Sequence, residues 1–324
     1  MTIRKLLAVA TVFATMGLVP TAVLAQEKII FVGGPNSDTF FNSMKQGFDQ
    51  AVKDLGVDAQ WTAPADFIDI VPNYTKLVEA AIASNPSALV IGNFFPDATN
   101  DLIKQAAASG IPVMIYNSGR PTWRELGAIG FIGEDSFLMG HRGGEIAVKA
   151  GVKNAICLNQ IAANPTLETR CNGYIAAITE AGGTAKQVTL TTEDAGNSQK
   201  IQAAVAALLM ADQTIDGVFT LGWPAIDALA AIKPYREQGR KIDLGTTDLS
   251  QPILEALEAG EMSYALDQQP YLQGYLGLLL TLQYVRYGLV PATETNTGPL
   301  VVDQSNAKRV FDIGAKFPGL RGAN

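Results

Sequence analysis

Short apolar runs alternate with stretches of helical period along almost the whole chain. Lys28 to Val32 reads as a strand, followed by a Gly-Gly-Pro-Asn-Ser loop. Phe40 to Leu55 reads as a helix, because Phe41, Met44, Phe48, Val52 and Leu55 recur at helical spacing. Strands at Asp58–Trp61, Ala88–Ile91 and Val113–Tyr116 and helices at Val71–Ala83 and Thr99–Ser109 continue the alternation, with Gly110 closing the last helix. Beyond residue 135 the pattern recurs. Helices are predicted over Ser136–Ala150, Glu168–Ala181, Ser198–Met210, from Trp223 to about Tyr235, over Pro252–Ala259 and over Tyr271–Tyr287. Strands are predicted over Asn154–Leu158, Gln187–Leu190, Gly217–Leu221, Lys241–Leu244 and Met262–Leu266. Such alternation is the mark of parallel sheets with helical crossovers.

The second half looks like a copy of the first. Leu89-Val90-Ile91-Gly92 matches Phe219-Thr220-Leu221-Gly222, Gly110 matches Gly239, and Ile29 matches Ile156, all at offsets of about 127–130 residues. The expected fold is therefore α/β, with two similar doubly wound parallel-sheet lobes.

Composition agrees with a globular chain of 324 residues, 48% hydrophobic and 17% charged. Residues 1–25 read as a secretory signal: Arg4 and Lys5, then an apolar run from Leu6 to Val19, then Val23-Leu24-Ala25 as a small-x-small cleavage site. Cleavage after Ala25 leaves 299 residues with 22 basic and 31 acidic groups, a net charge of −9. That balance excludes nucleic acid as a partner, since a duplex binder needs a basic face. Export makes two readings of Cys157 and Cys171 available, a disulfide or a pair of buried thiols. With one histidine, His141, the two cysteines cannot fill a four-ligand zinc site without carboxylates, and a single histidine argues against Ser-His-Asp or Cys-His hydrolysis. Gly140-x-x-Gly143-Gly144 falls inside a helix pattern, so no phosphate loop and no cofactor is expected.

In open parallel sheets, ligands bind beyond the carboxyl ends of the strands. Asp38, Phe40 and Phe41 follow the first strand, and Asn93, Asn117 and Asn159 follow three others. Arg170 lies just beyond the Asn159 loop, and Trp223, Asp248 and Gln268 follow the last strands. Carboxylates, carboxamides and a guanidinium suit a neutral ligand with many hydroxyls, each both donor and acceptor. Flat rings suit the C–H faces of a sugar.

These residues resemble the type I periplasmic sugar-binding proteins of ABC transporters, the ribose-binding class. Asp38-Thr39-Phe40-Phe41 resembles the Asn-Pro-Phe-Phe segment of that family, and Arg170-Cys171-Asn172-Gly173-Tyr174 its Arg-x-x-Gly-Phe helix start. Thr247-Asp248 resembles its Phe-Asp segment, and Asp267-Gln268-Gln269-Pro270 a variant that one branch carries. The resemblance implies a three-stranded hinge, with one lobe over 27–131 and 268–294 and the other over 132–267 and 295–324. It implies a monomer in the periplasm that takes a monosaccharide or polyol between its lobes and passes it to a membrane permease. It also implies stacking by Phe40 and Phe41, hydrogen bonds from Arg170, Asp248 and Gln268, and a disulfide from Cys157 to Cys171 bracing the Arg170 loop. Asn117-Ser118 stands where the ribose type has Asp-Arg, so ribose itself is a poor expectation. Two other roles share these features: a sensory sugar receptor, and an exported hydrolase using Asp38 and Asp248.

Overall fold

Among the described residues of the computed structural model, which are 27–321 without 163, 192, 193 and 195, the chain forms two six-stranded sheets. The expected signal segment, with its cleavage after Ala25, lies outside the described residues. The first lobe opens with β1 (Lys28–Val32), α1 (Thr39–Leu55), β2 (Asp58–Thr62), α2 (Ile70–Ala83), β3 (Ala88–Gly92), α3 (Pro96–Ala108), β4 (Val113–Tyr116) and β5 (Gly130–Gly133). The second runs through α4 (Ser136–Lys149), β6 (Asn154–Asn159), α5 (Pro165–Glu180), β7 (Thr184–Thr189), α6 (Ser198–Ala211), β8 (Gly217–Leu221), α7 (Pro224–Glu237), β9 (Asp243–Thr247), α8 (Gln251–Glu258) and β10 (Tyr264–Asp267). The chain then returns through α9 (Pro270–Tyr287) and β11 (Thr295–Asn296) to the first sheet, and through β12 (Leu300–Asp303) and α10 (Ala307–Lys316) to the second.

The strand orders are β11-β5-β4-β3-β1-β2 and β12-β10-β9-β8-β6-β7, parallel except where β12 pairs antiparallel with β10. Ile29 and Ile156 therefore sit on equivalent central strands, as do Leu89 and Phe219, which is the expected duplication. Gly110 and Gly239 both adopt positive φ after equivalent helices, at 84° and 89°. The strands β3 and β8 are buried along their whole length because helices cover both faces of each sheet, so they read as continuous apolar runs.

Helix pairs meet closely in both lobes. A Cβ added at Gly47 of α1 would stand 1.9 Å from Tyr271 O, and one at Gly274 of α9 1.9 Å from Met44 O. In the second lobe Gly140 of α4 and Gly173 of α5 play the same part, with a Cβ at 1.8 Å from Arg170 O and 2.1 Å from Phe137 O. Cys157 of β6 and Cys171 of α5, both fully buried, are joined as a disulfide. Closing a loop of about this size restricts the unfolded chain by roughly 3 kcal/mol in the chain-entropy account.

Several boundaries differ from expectation, for physical reasons. Helices α3, α5 and α9 begin at Pro96, Pro165 and Pro270, ahead of the predicted starts, because proline is tolerated in a first helical turn where its N–H has no partner to lose. β7 begins at Thr184 rather than Gln187; it is an edge strand whose buried and exposed residues do not form one apolar run. β5, β11, β12 and α10 carried no expectation. β5 runs to Gly133 and β11 belongs to the first sheet, so the chain leaves that sheet after Gly133 and after Asn296. The last described residues reach both lobes: Ser43 Oγ of α1 donates to Leu320 O at 3.1 Å, and Arg321 pairs with Asp267 at the end of β10.

Candidate functional site

The carboxyl ends of both sheets face one another across a cavity of about 380 Å³. On the first lobe, the loop after β1 brings Asp38 to the start of α1, where it accepts from Phe40 N at 2.9 Å. This N-cap bond satisfies an otherwise orphaned helix donor and fixes the carboxyl at the cavity wall. Phe40 and Phe41 follow, edge to face at 5.1 Å. Phe41 packs on Phe94 at 5.6 Å and Phe94 on Tyr74 at 5.3 Å, which extends the ring surface along the ends of β1 and β3.

On the second lobe, Asn164 caps α5 by accepting from Thr166 N, which sets the helix so that Arg170 reaches the cleft one turn further on. Its guanidinium donates through Nε at 3.0 Å and Nη2 at 2.8 Å to Glu134 Oε1, and Nη2 also donates to Gln268 Oε1 at 2.8 Å. Arg170 and Glu134 are 3% and 0% exposed, so this is a buried ion pair. Gln268 is shared further: its Oε1 accepts from Asn117 Nδ2 at 2.9 Å, and its Nε2 donates to Asp248 Oδ1 at 2.6 Å. One carboxamide thus ties the ends of β4, β9 and β10 to α5. Asn117 and Asp248 are held at φ 57° and 63°, a conformation that Asn and Asp tolerate better than other side-chain-bearing residues.

Direct contacts join the lobes around the cleft. Ser118 Oγ and Thr166 Oγ1 share a hydrogen bond of 2.7 Å, Arg120 pairs with Asp135 at 2.8 Å, and Phe67 lies 5.1 Å from Trp223. At the passages between the lobes, Thr297 N donates to Gly133 O at 2.7 Å, and Gln273 Nε2 donates to Thr297 Oγ1 at 3.2 Å.

Eight of the ten expected residues line the cavity: Asp38, Phe40, Phe41, Asn117, Arg170, Trp223, Asp248 and Gln268. Asn93 and Asn159 do not. Asn93 is fully buried and holds the start of α3, accepting from Thr99 Oγ1 at 2.6 Å and donating to Asn100 Oδ1 at 2.9 Å. Asn159 accepts from Ile161 N at 3.0 Å, a local turn bond. His141 is also elsewhere, bonded to Glu180 between α4 and α5. Sequence reasoning missed Phe67, Phe94, Phe95, Gln160 and Asn164 in the lining, and Glu134 behind it. The available signals were the Phe94-Phe95 pair at a strand end and Asn164 before Pro165. Glu134 had none while β5 went unread.

Burial pushes the Asp38 carboxyl up to about 6, opposed by the Phe40 N–H and reinforced by the negative charge of Asp248. Burial also pushes Asp248 up to about 6, opposed by Arg170 and Gln268 and reinforced by Asp267 and Glu134. These values lie above the ordinary 3.8, so the folded protein takes up protons that the unfolded chain releases. The resulting penalty is full above about pH 6 and fades as pH falls toward 4. The carboxyls held low, Glu27, Glu145, Asp194, Asp212 and Glu294, weaken the fold only below about pH 4.5. The melting temperature of the ligand-free protein is therefore expected to rise between about pH 7.5 and 5.5, and Asp248→Asn to flatten that rise. Scanning calorimetry across that range checks this; a melting temperature that falls on acidification contradicts it.

The sequence pattern of the family described as periplasmic binding protein domain matches residues 29–288. The xylose/arabinose-binding protein XylF of Sulfolobus acidocaldarius is 24% identical over 299 residues, covering 86% of this chain and 71% of that protein. A carbohydrate transporter from Acidothermus cellulolyticus, solved with myo-inositol, superposes with a TM-score of 0.80 at 28% identity, over 92% of this chain and all of that one. A periplasmic ribose ABC transporter protein from Conexibacter woesei shares the fold at a TM-score of 0.76 and 18% identity, over 92% of this chain and 98% of that one.

Proposed function

This chain belongs to the periplasmic binding protein domain family, and we propose that it captures a monosaccharide or cyclic polyol between its lobes and presents it to an ABC-transporter permease. The observation that carries the reading is the cavity itself. It gathers charged groups, carboxamides and aromatic rings from both lobes around a space suited to one small ring. The similar proteins named for pentoses and solved with myo-inositol support the same ligand class.

In this reading Phe40 and Phe41 lie against the ring, and Asp38, Arg170, Asp248, Gln268 and Trp223 meet its polar groups. Asn117 holds Gln268 in place. A ligand touching both walls binds the closed state better than the open one and shifts the population toward it. The passages after Gly133, Asp267 and Asn296 are the hinge. The Ser118–Thr166, Arg120–Asp135 and Phe67–Trp223 contacts are those that opening would break. The protein acts as an exported monomer, cleaved after Ala25.

Facing carboxyls also invite the hydrolase reading. A glycosidase needs one protonated and one ionised carboxyl, with environments that push the two apart. Burial is the first cause of the raised values of both Asp38 and Asp248, so their surroundings do not set one apart as acid and the other as base, which fits two ligand acceptors better. A thermal-shift screen of the mature protein against monosaccharides and polyols tests the capture reading. At least one ring compound is expected to raise the melting temperature by several degrees without being consumed. Turnover of the compound, or a panel with no stabilising member, counts against it.

A further inference from the structure

The cavity carries more negative charge than its own residues balance. Asp38 and Asp248 both line it, and Arg170 is the one basic residue in the lining among the described residues. That guanidinium is committed to Glu134 through two donors. Of the other charged groups that bear on Asp248, Asp267 is paired with Arg321. Among the described residues no lysine reaches the lining to balance the two aspartates. A third acceptor is close by. Gln160 lines the same cavity, is 2% exposed, and gives its Nε2 to Leu221 O, while its Oε1 is buried without a partner among the described residues. Phe40, Phe41 and Trp223 complete the wall with aromatic faces.

Buried carboxylates are costly unless a cation meets them or a proton neutralises them. A neutral polyol can donate hydrogen bonds to Asp38 and Asp248 but leaves both charges enclosed. An ammonium group brings three donors and one positive charge to a space rich in acceptors, and aromatic faces attract a cation further. We infer that the ligand of this cleft carries one primary amine besides its hydroxyls, as an amino sugar or an aminocyclitol does. This rests on the capture reading above and narrows its ligand class. Burial is what raises the Asp38 and Asp248 carboxyls, at Asp248 against the opposing charge of Arg170, so leaving either ionised without a cation there is costly.

Calorimetric titration of the mature protein near pH 7 tests the inference with matched rings: glucose and glucosamine, galactose and galactosamine, scyllo-inositol and its monoamine. In at least one pair the amine is expected to bind about tenfold tighter or more, and its N-acetyl derivative, which has lost the charge, to lose that gain. Asp38→Asn, which keeps an oxygen to cap α1, is expected to shrink the preference for the amine at least about fivefold. Neutral rings that bind while no amine binds tighter overturn the inference and leave the capture reading standing. If no ring of either kind binds, both are overturned.

Discussion

Replacing Arg170 with alanine is expected to cost about 3–5 kcal/mol of folding stability, measured by urea denaturation. The loss is not the loss of a favourable pair. A buried ion pair gains little over apolar packing, but removing one member strands the other. Here the stranded group is Glu134, which is fully buried, whose Oε1 loses both guanidinium bonds and keeps the one from Ser136 Oγ at 2.9 Å, and whose Oε2 has no hydrogen-bond partner among the described residues. Combining Arg170→Met with Glu134→Gln should recover most of the loss, because no charge then remains. A loss below about 1 kcal/mol in the single variant would mean that water reaches Glu134 and that the pair is not a sealed one.

Gly140→Ala is expected to be comparably damaging, at about 3 kcal/mol or more, for a different reason. In an exposed helix the change would stabilise, by up to about 1 kcal/mol. Here the new methyl would stand 1.8 Å from the carbonyl oxygen of Arg170 and 2.7 Å from its carbonyl carbon. Backbone atoms of a packed helix cannot swing aside as a flexible side chain can, so α4 and α5 must separate. That movement displaces Arg170, so ligand affinity should fall together with the melting temperature. A variant that melts as the wild type does would show that the two helices approach less closely than this.

Much of the fold was legible because its strands are short, buried on both faces and closed by glycine or asparagine. KIIFV and ALVIG admit little other than inner parallel strands, and the stripe from Phe41 to Leu55 admits little other than a helix. Legibility failed where the physical signal is weak or shared. Gly130-Phe131-Ile132-Gly133 is short and flanked by glycine, and missing it hid Glu134, the partner that defines the role of Arg170. The early helix starts were lost because proline reads as a breaker until its first-turn position is known. In the site, strand-end position alone found eight of the residues lining the cavity. It could not separate an asparagine that faces the cleft from one that ties down its own loop, as Asn93 and Asn159 do. That distinction depends on where the side chain turns, which Thr99 and Ile161 decide from the following helix and loop.

The most direct test of capture between the lobes is a pair of calorimetric titrations, wild type against Asp248→Ala, with whichever ring compound stabilises the wild type most. Asp248 sits on the second lobe, bonded to Gln268 and facing the first-lobe wall that holds Asp38. The account predicts one ligand per chain in the wild type and a loss of at least about 2 kcal/mol of binding free energy in the variant. Equal affinity for the two proteins would place the ligand outside this cleft and contradict the account.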